Sequence, residues 1–131
     1  VHSALLEAGQ KVAFLEIDCP YNYYREVRTR QGDARVNNAD KLSHVENWCL
    51  KNGIQFHLVV NAEPRKAGGK GFYDLTCEYV QRLYQDKIYP DSFIFQSWYK
   101  QPDEHLPETK KYTFMNTARD AIHSVHQLYP K

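Results

Sequence analysis

The sequence predicts an α/β fold with parallel strands. Three short segments, 12–19, 54–61 and 92–99, are rich in β-branched and aromatic residues and are bounded by Gly, Pro or Asn, as strands usually are. Amphipathic helical patterns fill the intervals between them. The order is therefore one helix followed by three strand–helix units, and such alternation favours parallel pairing through right-handed crossovers.

Each of the three later helices is predicted from an apolar stripe at helical spacing. The stripes are Leu42, Val45 and Cys49; Leu75, Tyr79, Val80 and Leu83; and Phe114, Ala118, Ala121, Ile122 and Val125. Gly53 follows the first stripe at the expected C-terminal stop. Residues 3–8 have the pattern of the end of an earlier helix, which Gly9 stops.

Composition excludes several classes of protein. The 131 residues suffice for one region with its own core, and 42% hydrophobic with 25% charged residues is ordinary for a globular protein. A net charge of +1 gives no electrostatic basis for nucleic acid or an anionic membrane as a partner. No apolar run approaches the ~20 residues that span a bilayer. The chain begins at Val1 rather than Met, which we interpret as a sign of processing or of a fragment.

The three cysteines, Cys19, Cys49 and Cys77, are odd in number and widely spaced, so the sequence predicts no disulfide framework. We expect them to be small buried apolar side chains. A nucleophilic Cys19 is the alternative.

The two faces of each predicted strand differ, because successive side chains point to opposite sides. One face is apolar and comprises Ala13, Leu15, Ile17, Phe56, Leu58, Val60, Phe93 and Phe95. The other face comprises Phe14, Glu16, Asp18, Gln55, His57, Val59, Asn61, Ile94, Gln96 and Trp98. This second face becomes polar toward the carboxyl ends of the strands, as the interior of a barrel does where it opens into a site.

We therefore predict that residues 1–131 form a single region of three parallel β/α units. They would be the C-terminal half of a TIM (β/α)8 barrel, since a complete barrel usually takes ~250 residues. The expected partner is the rest of the barrel or another copy of the chain, because three parallel strands leave both edges open. One alternative is a small three-layer α/β domain. Another is that Glu16 and Gln96 merely pair with each other inside the barrel.

Two short motifs at the predicted strand ends resemble a known family. Asn61-Ala62-Glu63-Pro64 ends the second strand with a carboxylate, and Ser97-Trp98 ends the third. They resemble retaining glycosidases of the large (β/α)8 superfamily, which carry a nucleophilic Glu at the end of strand seven and often a Trp at the end of strand eight. The resemblance implies that Asp18 ends strand six. The inserted Ala62 departs from the superfamily's Asn-Glu-Pro motif of strand four, and the acid/base Glu of that strand lies outside this chain.

The resemblance implies a glycoside hydrolase that acts on an oligo- or polysaccharide. We expect no cofactor and no metal ion. Glu63 would be the catalytic carboxylate and Asp18 a second acid, since glycoside cleavage needs two carboxyl groups. Trp98 would stack on a sugar ring. The other expected substrate contacts are Asn61, Gln96, Glu16 and Tyr21. The chain alone would lack a full catalytic set, and a secreted or periplasmic location would suit such an enzyme.

A glycine-rich stretch supports a second hypothesis. Residues 67–71 (AGGKG) lie between a strand and a helix, where glycine-rich turns can bind phosphate, and Lys70 would add charge. The chain would then belong to a phosphate-binding (β/α)8 lyase or isomerase, unless the stretch is simply a flexible loop. A third hypothesis is a barrel that binds carbohydrate without cleaving it.

Overall fold

The structure is a computed structural model that describes residues 2–25, 37–64 and 67–129. Its helices are α1 (His2–Glu7), α2 (Tyr21–Arg25), α3 (Asn38–Asn52), α4 (Gly68–Gln85) and α5 (Phe114–Leu128). Its strands are β1 (Phe14–Asp18), β2 (Gln55–Val60) and β3 (Ser92–Phe95). None of the helices in the described ranges has the length and apolar character that a membrane crossing requires.

Local sequence signals account for the ends of two long helices. The side chain of Asn37 caps α3 by accepting hydrogen bonds from the backbone of Ala39 and Asp40. Gly53 ends α3 in the left-handed conformation, at φ 63°, as the sequence predicts. Thr113 caps α5 by accepting a hydrogen bond from the backbone of Asn116.

The three strands form one parallel sheet in the order β1-β2-β3, which confirms the predicted strand–helix alternation and parallel pairing. In the register of the sheet, Ile17 pairs with Leu58 and Leu58 pairs with Phe93. The strand order follows the chain order without the reversal that marks a doubly wound sheet.

The core lies on one face of the sheet. Phe56, Leu58 and Val60 of β2 are buried there against the helices. The helical members of the same core come from α2, α3, α4 and α5 and are Tyr21, Tyr24, Leu42, Cys49, Tyr79, Val80, Leu83 and Ala121. On the opposite face Phe14, at 49% exposure, and the side chains of Glu16 and Gln55 are open to solvent, although Val59 is buried. Within the described residues the fold therefore has two layers rather than the three of the alternative domain.

Two elements differ from the prediction. The third strand ends at Phe95 rather than at residue 99, because the chain bends beyond Gln96 and the Ser97 hydroxyl donates to the Gln101 carbonyl at 2.7 Å. The five-residue helix α2 follows β1 where the sequence analysis predicted no element. Its sequence, YNYYR, has neither an apolar stripe nor the length that makes a helix recognisable.

Candidate functional site at the carboxyl ends of the strands

The carboxyl ends of parallel strands meet at one edge of the sheet, and six of the chain's polar and aromatic residues lie there. Asp18 is the last residue of β1 and pairs in register with Val59. The backbone N–H of Gln96 donates to the Val60 carbonyl at 3.1 Å, so the chain beyond β3 stays beside the end of β2. We call this edge the carboxyl rim; it comprises Asp18, Asn61, Glu63, Gln96, Trp98 and Tyr99.

The two predicted acids of the rim both act electrostatically on one tyrosine. Burial raises the pKa of the Tyr99 hydroxyl, and Glu63, Tyr23 and Asp18 raise it further through their charges. Asp18 and Glu63 are therefore both within electrostatic reach of that hydroxyl. Asp18 is exposed and Glu63 is half-buried, so their environments differ. Two carboxyl groups at one site are what glycoside cleavage needs.

Trp98 lies at the rim with its indole largely open, at 64% exposure. It lies beyond the end of β3, so the predicted alternation of side chains along the strand does not set its direction. The Trp98 indole is therefore not packed in the core that the described residues form. An open indole offers a flat apolar surface and one N–H donor.

Asn61 is fully buried at the end of β2. Its backbone carbonyl accepts a hydrogen bond from the Tyr21 N–H at 2.8 Å. Neither side-chain atom of its amide has a partner among the residues that the structure describes. A buried amide without a partner costs about 1–3 kcal/mol, and such groups in native proteins usually have a reason to be there.

The predicted substrate contact Tyr21 has its side chain in the core rather than open at the rim. Its side chain is 2% exposed and stacks on Tyr79 of α4, with 4.9 Å between the ring centroids. The short helix α2 turns the residue into the core, whereas a loop would have left it at the surface.

Glu16 also lies away from the rim. It is exposed on the open face of the sheet, in register with His57 and two residues before the end of β1. The central strand β2 separates it from Gln96, which follows β3, so the two do not form the pair that the sequence analysis considered.

The glycine-rich stretch has a packing role in this fold. A Cβ at Gly69 would stand 2.6 Å from the Tyr112 carbonyl, and one at Gly71 would stand 2.5 Å from the Ala67 side chain. Lys70 forms an exposed ion pair with Asp74 on the next turn of α4. Close packing therefore accounts for these two glycines without a phosphate ligand.

The cysteines are free thiols, as predicted. Cys49 is buried, and Cys19 and Cys77 are half-buried. Burial raises the pKa of the Cys19 thiol, which favours the unreactive protonated form. Within the described ranges, no three His, Cys, Asp or Glu side chains converge as metal ligands.

The sequence analysis missed two residues of this site. Tyr99 was overlooked because a strand through residue 99 would have placed it on the face opposite Trp98. Asn22 was overlooked because it lies among tyrosines, yet its side-chain carbonyl accepts a hydrogen bond from the Glu63 backbone at 2.8 Å. The pattern Asn61-Ala62-Glu63-Pro64 gave no signal for that contact, which joins residues 41 positions apart.

Comparisons with protein-family models, with curated proteins and with solved structures find no match for this chain. The functional interpretation therefore rests on the chemistry of the rim itself.

Proposed function

We propose that this chain is a three-unit segment of a (β/α)8 barrel that binds and hydrolyses an oligo- or polysaccharide at the carboxyl rim. The sequential parallel strand order and the packing of the helices on one face are what an arc of such a barrel requires. The partly polar open face would become the barrel interior once the remaining strands close it.

The observation that carries the proposal is that Asp18 and Glu63, at or just beyond the carboxyl ends of β1 and β2, are both within electrostatic reach of Tyr99, which follows the exposed Trp98 in the chain. Active sites of (β/α)8 enzymes lie at the carboxyl ends of the strands. Trp98 would hold the apolar face of a sugar ring. Glu63 would act as nucleophile or base and Asp18 as a second acid, with further groups supplied by the rest of the barrel.

The sharpest test is Glu63→Gln in the complete protein, assayed against a panel of soluble polysaccharides by release of reducing ends. Gln keeps the shape of the side chain but cannot ionise, so turnover should fall at least ~10²-fold while saccharide binding persists. The matched control is Glu7→Gln, because Glu7 is exposed on α1, which precedes the amino end of β1. This control should keep the wild-type rate.

Other results would redirect the proposal. A Glu63→Gln rate above about a tenth of wild type would remove Glu63 from the catalytic role, since loss of a catalytic group normally costs 10²-fold or more. Saccharide binding without any turnover by the wild-type protein would identify a carbohydrate-binding barrel. Inhibition by inorganic phosphate would instead support the phosphate-binding enzyme. The packing of Gly69 and Gly71 does not favour that enzyme, because it explains both glycines without a ligand.

A further inference from the structure

Helix α2 is hydrogen-bonded to the end of β2 at two points. The Tyr21 N–H donates to the Asn61 carbonyl, and the Asn22 side-chain carbonyl accepts from the Glu63 N–H, each at 2.8 Å. These contacts flank Ala62, which is itself fully buried. The segment that carries the rim carboxylate of Glu63 is therefore bound on both sides of Ala62 to one short helix.

That helix is in turn fixed to the core. Tyr21 and Tyr24 of α2 both pack on Tyr79 of α4, at centroid distances of 4.9 and 5.0 Å. Tyr79 is fully buried, and its hydroxyl donates to the Cys19 carbonyl at 2.7 Å. The Tyr24 hydroxyl donates to the Asp86 carboxylate at 2.7 Å. A helix of five residues has little stability of its own, so this aromatic anchor is what makes α2 a fixed support.

Glu63 is constrained from its other side by Pro64. A residue that precedes proline is restricted to extended backbone conformations. The hydrogen bond from its N–H fixes the start of the residue, and Pro64 limits its ψ. The backbone of Glu63 is therefore restrained on both sides, by a hydrogen bond at its N–H and by the proline that follows.

We propose that Asn22 is a positioning residue for Glu63. Tyr21 and Tyr24 hold α2 on the core, and Asn22 of that fixed helix holds the backbone of Glu63 in place at the rim. Asn22 is 5% exposed, and its carbonyl oxygen is the side-chain acceptor for the Glu63 N–H. The inference rests on the proposed function, because a fixed carboxylate matters most where a reaction depends on its placement.

Two substitutions separate positioning from simple stabilisation. Asn22→Ala removes the acceptor, so kcat should fall at least tenfold while KM stays within about threefold, since misplacement of a reacting group can cost up to ~10²-fold. Asn22→Asp keeps an acceptor, so it should recover most of kcat. The control is Asn47→Ala on α3, whose amide donates within its own helix.

A merely structural role for Asn22 predicts a different result. Both variants would then have wild-type kcat per folded molecule, and this outcome would overturn the proposal.

The test keeps its meaning even if no saccharide is hydrolysed by the wild-type protein, which would defeat the proposed function alone. In that case amide hydrogen exchange of Glu63 is measured by NMR in the same variants. Exchange should be at least tenfold faster in Asn22→Ala than in wild type and slow again in Asn22→Asp. Equal protection in all three proteins would show that Asn22 does not fix Glu63.

Discussion

The hydroxyl of Tyr73 on α4 donates a hydrogen bond to the Asp120 carboxylate on α5, with 2.9 Å between the oxygens. The same carboxylate accepts from the Asn116 amide at 3.3 Å and pairs with Arg119 at 2.8 Å. Burial works to raise the pKa of Asp120, but the bonds from Arg119, Tyr73 and Asn116 outweigh it and lower the pKa. Burial and the bond to Asp120 raise the pKa of Tyr73 to about 12. Ionised Asp120 therefore contributes a hydrogen-bonded link between α4 and α5.

We expect Asp120→Asn to lower stability at neutral pH and to matter much less in acid. The folded-state pKa of Asp120 lies below its unfolded value of about 3.9. The contribution of ionised Asp120 to the free energy of unfolding is therefore fully present above about pH 4. It is lost as the pH falls through the folded-state pKa. Because the Asp120 carboxylate is partly exposed, we expect the substitution to lower the free energy of unfolding at pH 7 by at most about 1 kcal/mol. Thermal unfolding at pH 7 and pH 3 checks this, with exposed Asp103→Asn as control. An equal difference in Tm at both pH values would contradict it.

The parallel sheet and its helices could be predicted because their signals are local. Runs of β-branched residues predict the strands, apolar stripes at helical spacing predict the helices, and Gly53 predicts the end of one helix. The alternation of strands and helices then predicts parallel pairing. Asp18 and Glu63 were placed at one edge by the same logic, since parallel strands end together. The limit of β3 could not be predicted, because it depends on the turn that Ser97 makes with Gln101.

The parts of the site that could not be predicted depend on long-range contacts. Tyr21 is in the core because it packs on Tyr79, which lies 58 residues further along the chain. Asn22 contacts Glu63 through a side chain whose environment exists only after α2 has packed. No periodicity in YNYYR distinguishes a tyrosine that faces a cleft from one that faces the core.

We expect Gly69→Ala to destabilise the protein although alanine is the better helix former. In an ordinary helix the change would stabilise by about 1 kcal/mol. Here the new Cβ would stand 2.6 Å from the Tyr112 backbone carbonyl, which cannot move as a flexible side chain can. Overpacking of this kind costs about 1–3 kcal/mol, so the net change should be a loss. Gly53→Ala is the comparison, because its Cβ meets nothing within 4 Å and the cost there is backbone strain alone. A raised Tm for Gly69→Ala in thermal unfolding would contradict the close packing.

We expect the isolated chain to associate through the open edges of its sheet. Within the described residues β1 and β3 are the two edge strands, and open parallel edges attract further strands. Sedimentation velocity at rising concentration should show species larger than the 15.4 kDa monomer. Phe14→Lys places a charge on edge strand β1 and should reduce association, whereas Leu50→Lys, on the exposed surface of α3, should not. A stable monomer at high concentration would count heavily against a barrel segment.

Trp98 gives the most direct test of ligand contact. Because its indole is 64% exposed, Trp98→Ala should leave stability nearly unchanged, far from the ~3–5 kcal/mol that loss of a buried large aromatic costs. A sugar ring stacked on the indole is worth about 1 kcal/mol beyond burial, so saccharide affinity should fall at least several-fold. Trp48→Ala is the matched control, since Trp48 is also exposed but packs edge-on against His2, away from the rim.

Tryptophan fluorescence tests whether a saccharide contacts Trp98 directly or whether Trp98→Ala changes binding through the fold as a whole. In a Trp48→Phe background the emission comes from Trp98 alone, because the chain has two tryptophans. A saccharide that covers the indole removes water from it, so the emission should shift to shorter wavelength and saturate with the affinity measured by calorimetry. A saccharide that binds without any change in this emission would place the binding site away from Trp98, because an indole this exposed cannot be covered without a change in its surroundings.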